Sequence, residues 1–109
     1  MSKAEQAAVI SCGDKTACDK AFSLTQIYIN QTSDQKIQLA TDTIVETYNP
    51  TDEGKIGLAA TRVPGKGASA SILLKVTCKD GSYAIDLCLL KKTNAYEGFR
   101  PFIERMLKE

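Results

Sequence analysis

Four cysteines in two close pairs constrain this chain more than anything else in it. Cys12 lies near Cys18 and Cys78 near Cys88, in 109 residues that hold no histidine and no tryptophan. An even cysteine count at short spacing in a small chain points to disulfides and an oxidising compartment. Three pairings are open. Joining neighbours closes rings of seven and eleven residues, and loop-closure entropy assigns about 2–3 kcal/mol to each. A crossed pairing would tie the N-terminal region to the last hairpin. The competing reading is a cytosolic chain with four buried, reduced thiols.

Localisation follows from the same residues. No stretch approaches the roughly 20 apolar residues of a membrane span. Met1–Gln6 lacks the apolar core of a secretory signal. The expectation is a periplasmic or secreted protein whose export signal has been removed, with residues 1–6 flexible or foreign to the natural chain.

The length suits one domain. With 43% hydrophobic and 25% charged residues the chain is globular rather than disordered. Fourteen basic residues against thirteen acidic ones leave a net charge of +1. Nucleic-acid binding draws on a basic surplus, so that class is disfavoured.

Hydrophobic periodicity places the elements. Val9–Cys12 reads as a short strand. Residues 17–32 read as a helix, with Cys18, Ala21, Phe22, Thr25, Tyr28, Ile29 and Thr32 on one stripe, flanked by Leu24 and Ile27. Thr16 and Asp19 resemble a capping box. From Lys36 to Thr47 the period is two, as in a strand, and a bulge near Thr41–Asp42 would reconcile its two apolar sets. Asn49–Gly54 is a turn. Lys55–Val63 and Ala68–Cys78 are further strands, joined through Pro64–Gly67, where glycine allows a positive φ. Lys79–Ser82 is another turn. Residues 83–92 fit either a fourth meander strand or the first turns of a helix. Phe99, Phe102, Ile103, Met106 and Leu107 form a last amphipathic helix. It starts near Arg100, or runs from Asn94 with a kink at Gly98–Pro101. The sum is an α+β domain: an N-terminal helix, an antiparallel meander of three to four strands, and a C-terminal helix packed on one sheet face.

Most catalytic templates are missing. Without histidine there is no Ser-His-Asp or Cys-His arrangement and no His-based zinc site. No Cys-x-x-Cys motif supports thiol exchange, and spacings of six and ten positions suit a four-thiolate zinc site poorly. Gly65–Lys66–Gly67 lacks the rest of a phosphate loop. Asn30–Gln31–Thr32 matches a glycosylation acceptor but falls at a helix end. No cofactor, no metal and no catalytic residue is assigned. Asp42 and Glu46 on one polar strand face, with Tyr48 beside them, are the speculative contact residues. Paired carboxylates could serve a small hydrolase, or the same face could belong to a hydrolase inhibitor. Alternating polar residues on an open antiparallel sheet are the plainer explanation. Tyr48, Tyr83 and Tyr96 are candidate surface aromatics for a ligand or partner.

Several segments together resemble a known group. Cys18–Asp19–Lys20, Phe22, Lys36–Ile37–Gln38, Ala40–Thr43, Glu46–Pro50 and Lys66–Gly67 through to Cys78 resemble a family of small uncharacterised exported proteins of Proteobacteria, periplasmic or lipoprotein-like. The resemblance covers roughly residues 15–80. This chain lacks the tryptophan those proteins often carry in the first helix, and it differs from them over residues 80–92. The resemblance implies export and disulfides and supplies no catalytic residues. The expectation is thus a monomeric, non-catalytic periplasmic or envelope binding or accessory protein, with an envelope protein or a small ligand as partner.

Overall fold

The computed structural model describes residue 6 and residues 8–52, 54–79 and 85–108. Strand β1 (Val9–Cys12) leads into helix α1 (Lys15–Thr32), followed by strands β2 (Ile37–Ala40), β3 (Ile44–Thr47), β4 (Ile56–Pro64) and β5 (Ala70–Cys78), and finally helix α2 (Ile85–Leu107). The five strands form one antiparallel sheet in the order β1-β5-β4-β3-β2. Strands β2 to β5 are a four-stranded meander, and β1 adds a fifth strand beside β5. Both helices cover one face, the α+β arrangement expected from the sequence. Residues 1–5, part of the expected flexible N-terminus, and the expected turn after Lys79, with Tyr83, lie outside the described residues.

Helix α1 starts two residues before its expected position. Its N-cap is Asp14, whose Oδ1 accepts the Ala17 N–H at 2.8 Å. Thr16 is therefore inside the first turn, and the Thr16–Asp19 capping box does not form. Asp caps as well as Ser does, and Asp14 directly follows Gly13 at the chain's change of direction. The stripe from Cys18 to Ile29 is buried as its spacing requires. Leu24 joins it, but Ile27 is 45% exposed on the far side. Buried Thr25 satisfies its hydroxyl on the Ala21 carbonyl one turn back, at 2.8 Å.

The segment from Lys36 to Thr47 is a hairpin rather than one long strand. Thr41 reverses the chain: its N–H donates to the Ile44 carbonyl at 2.8 Å, and its hydroxyl oxygen accepts the N–H of Thr43 and of Ile44. Such hydroxyl-to-backbone bonds make turns, and alternation alone does not reveal them. A bulge does occur, but in β2, where the register shifts between Ile37 and Leu39. The β4–β5 hairpin closes through Gly65–Ser69, with Gly67 at φ +62°, a conformation that other L-residues resist.

Helix α2 settles residues 85–92 as helical and runs unbroken past Pro101. Proline there removes an N–H that would have bonded to the Glu97 carbonyl. Both residues are exposed, so water can serve that carbonyl. On the buried face stand Ala95, Tyr96, Phe99 and Ile103. Tyr96, a candidate surface aromatic by sequence, is 2% exposed. Its hydroxyl accepts the Val76 N–H at 2.9 Å. Strand β1 pairs with β5 only as far as Leu73 and reaches the Leu74 N–H through the Ala8 carbonyl. Val76 lies beyond that reach, and the phenol completes the edge.

The two helices meet through Tyr28. Its hydroxyl donates to the Ala95 carbonyl at 2.6 Å, and its ring lies 5.4 Å from Phe99 and 5.2 Å from Phe102. Burial pushes the phenol's pKa up. Glycine at 98 permits this approach, since a Cβ there would stand 2.9 Å from the Tyr28 oxygen.

Both disulfides join nearest neighbours. Cys12–Cys18 ties the end of β1 to the first turns of α1, with Cα atoms 5.2 Å apart. Cys78–Cys88 ties the end of β5 to the start of α2, with Cα atoms 6.1 Å apart. Both separations are ordinary for a disulfide. Each bridge fixes one helix to one strand of the sheet.

Candidate functional site

Strand alternation puts Ile56, Leu58, Ala60 and Arg62 of β4 on the helix side of the sheet, because Arg62 pairs with buried Ile72. A cation on that face needs a partner. Helix α1 supplies it: the Arg62 guanidinium donates to Asp19 Oδ1 at 2.7 Å, while Lys15, one turn earlier, holds Oδ2 at 2.7 Å. Lys15 and Arg62 together hold the Asp19 carboxyl below the usual carboxylate range. The sign follows: a lowered folded-state pKa adds stability above the ordinary carboxylate value, and acidification through the lowered value removes it. The Arg62 side chain is only 17% exposed, and it lines a cleft between α1 and the β2–β3 turn.

That cleft has a volume of about 410 Å³. Asp19, Phe22 and Gln26 of α1 form one wall, and the β2–β3 turn, with Asp42 and Thr43, forms the other. Beyond Arg62 a second depression of about 340 Å³ reaches Pro64, Ser69 and Ala70, and shares Lys15, Thr43 and Arg62 with the first. The two adjoin at Lys15, Thr43 and Arg62 and are treated together as one groove. Arginine carries five N–H donors in a planar fork, and one of them is committed to Asp19. The groove therefore offers hydrogen-bond donors from Arg62, a carboxylate at Asp42, the Gln26 amide and hydroxyls.

The structure separates the speculative residues. Asp42 lines this cleft on the helix side. Glu46 lies between buried Val45 and Thr47 in β3, which turns it to the opposite, open face. There it lines a smaller depression of about 190 Å³ with Lys75. Tyr48 is 55% exposed and lines neither depression. Tyr83 lies outside the described residues. Arg62, Lys15 and Gln26 were not singled out by sequence. The available signal was a charge in register with Leu58 and Ala60 on the apolar side of β4.

Among the described residues no three His, Cys, Asp or Glu side chains converge as metal ligands, and no helix is long and apolar enough to cross a membrane. Comparison with protein-family models, with curated proteins and with solved structures finds no match for this chain.

Proposed function

We propose that this chain is an exported, non-catalytic binding or accessory protein of the bacterial envelope, which holds a polar, hydroxyl-bearing ligand such as a saccharide unit in the groove over Arg62. One observation carries the reading. Asp19 fixes a largely buried arginine at a cleft that Asp42 and Gln26 also line. Planar donors and acceptors of this kind suit vicinal hydroxyls. The two disulfides support export. Cys12–Cys18 also anchors the same first turns of α1 that carry Lys15 and Asp19. Rigid sites bind with less ordering cost.

The test is a titration of isotope-labelled protein, followed by amide chemical shifts, with a neutral oligosaccharide and then with one bearing carboxylates. Shifts are expected at residues 15–26, 41–43 and 62, and Arg62→Ala is expected to weaken binding at least tenfold while leaving the spectrum folded. Shifts confined to other surfaces, or saturable binding unchanged by Arg62→Ala, would contradict the proposal.

A further inference from the structure

Among the described residues no element covers the sheet face turned away from the helices, and its side chains follow a pattern. Among its paired positions only Glu46 and Lys75 carry charge. One row across the sheet runs Leu39, Glu46, Ala59, Lys75. The next runs Ile44, Thr61, Leu73, Val9. Leu39, Val63 and Leu73 are each about 40% exposed, on a face where antiparallel sheets ordinarily present polar residues to water. Central strand β4 contributes only small side chains to these rows, Ala59 and Thr61, with Gly57 following.

We propose that two copies of this chain pair through this face, about a two-fold axis lying between the sheets and running along β4. That operation lays β3 of one copy over β5 of its partner, and β5 over β3. Glu46 then faces the partner's Lys75, and Lys75 faces the partner's Glu46. In the next row Ile44 meets the partner's Leu73, and Leu73 the partner's Ile44. On the axis the small residues of β4 meet their own copies and let the backbones approach to the about 10 Å typical of packed sheets. A two-fold interface must be self-complementary, and placing opposite charges one strand to either side of the axis achieves this. A crossing of about 30° between aligned sheets sets the axis about 15° from the β4 direction, which displaces residues beside the axis least. A face about 24 Å wide and 20 Å long buries on the order of 1,000 Å² in total, the lower bound for a specific interface. The dimer is therefore concentration-dependent, and it departs from the monomer expected from the sequence. It leaves both Arg62 grooves, on the helix sides, open to ligand.

Sedimentation equilibrium over a dilution series tests this. The wild-type chain is expected to shift from dimer to monomer on dilution. Glu46→Lys or Lys75→Glu converts two attractive pairs into two repulsive ones and is expected to raise the dissociation constant at least tenfold. Combining Glu46→Lys with Lys75→Glu restores opposite charges and is expected to recover the wild-type constant. Unchanged far-ultraviolet circular dichroism verifies that each variant folds. A wild-type chain that stays monomeric at every concentration overturns the proposal. So does a dimer indifferent to either single reversal, or a double variant no better than the single ones.

Discussion

Reducing both disulfides is expected to lower the unfolding free energy by about 5 kcal/mol, from loop-closure terms of about 2 kcal/mol for the seven-residue ring and about 3 kcal/mol for the eleven-residue ring. A domain of this size has roughly 5–15 kcal/mol in all, so the reduced chain stands near the edge of unfolding. The expected effect also has a structural side. Cys18 and Cys88 are both fully buried, and each bridge joins a helix to the sheet it covers. Releasing them loosens the packing of both helices as well as enlarging the unfolded ensemble. Urea unfolding of the same preparation, with and without a thiol reductant, measures the effect. Equal midpoints would show that the bridges do not brace the fold.

Phe99→Ala is expected to cost about 3–5 kcal/mol, the range for removing a fully enclosed aromatic ring. Phe99 is the largest side chain with no exposure among the described residues. It lies on α2 where that helix crosses α1, with the Tyr28 ring at 5.4 Å. Removing it deletes apolar contact on both helices and leaves a cavity that the sheet cannot collapse into, since β4 and β5 pair along nine residues. Ile27→Ala on the solvent side of α1 provides the contrast and is expected to cost under about 1 kcal/mol, because surface positions rarely cost more. Thermal unfolding of both variants measures the difference. A loss below about 1 kcal/mol for Phe99→Ala would mean that α2 is not a core element.

What could be read from sequence divides along physical lines. The α1 stripe and the alternation of β5 were legible because each buries one face against a core, and burial imposes a period. The two-strand hairpin at Thr41 was not legible as such. Its reversal depends on a hydroxyl bonding to backbone two and three residues on, which an alternating pattern conceals. Residues 85–92 were ambiguous because Leu87, Cys88, Leu89 and Leu90 are apolar without a period. In the structure Cys88 is buried in its disulfide region while the three leucines are 48–58% exposed, so burial does not follow a stripe there. The groove was missed for another reason. Asp19 is near Arg62 only in space, 43 residues away in the chain, and a pair at that separation leaves only an unpaired-looking charge on an apolar strand face. Asp42 and Glu46 were grouped because one continuous strand would put them on one face. The turn at Thr41–Thr43 removes Asp42 from that strand.

Neighbouring cysteines staple each of the two helices to the sheet. Tryptic mapping of the protein isolated without reductant, with free thiols alkylated first, tests this most directly. Cleavage after Lys3, Lys15, Lys20, Lys75, Lys79 and Lys91 separates all four cysteines. Residues 4–15 are expected linked to 16–20, and residues 76–79 to 80–91, with no alkylated cysteine. Four alkylated thiols, or any link between the first pair of peptides and the second, would contradict it.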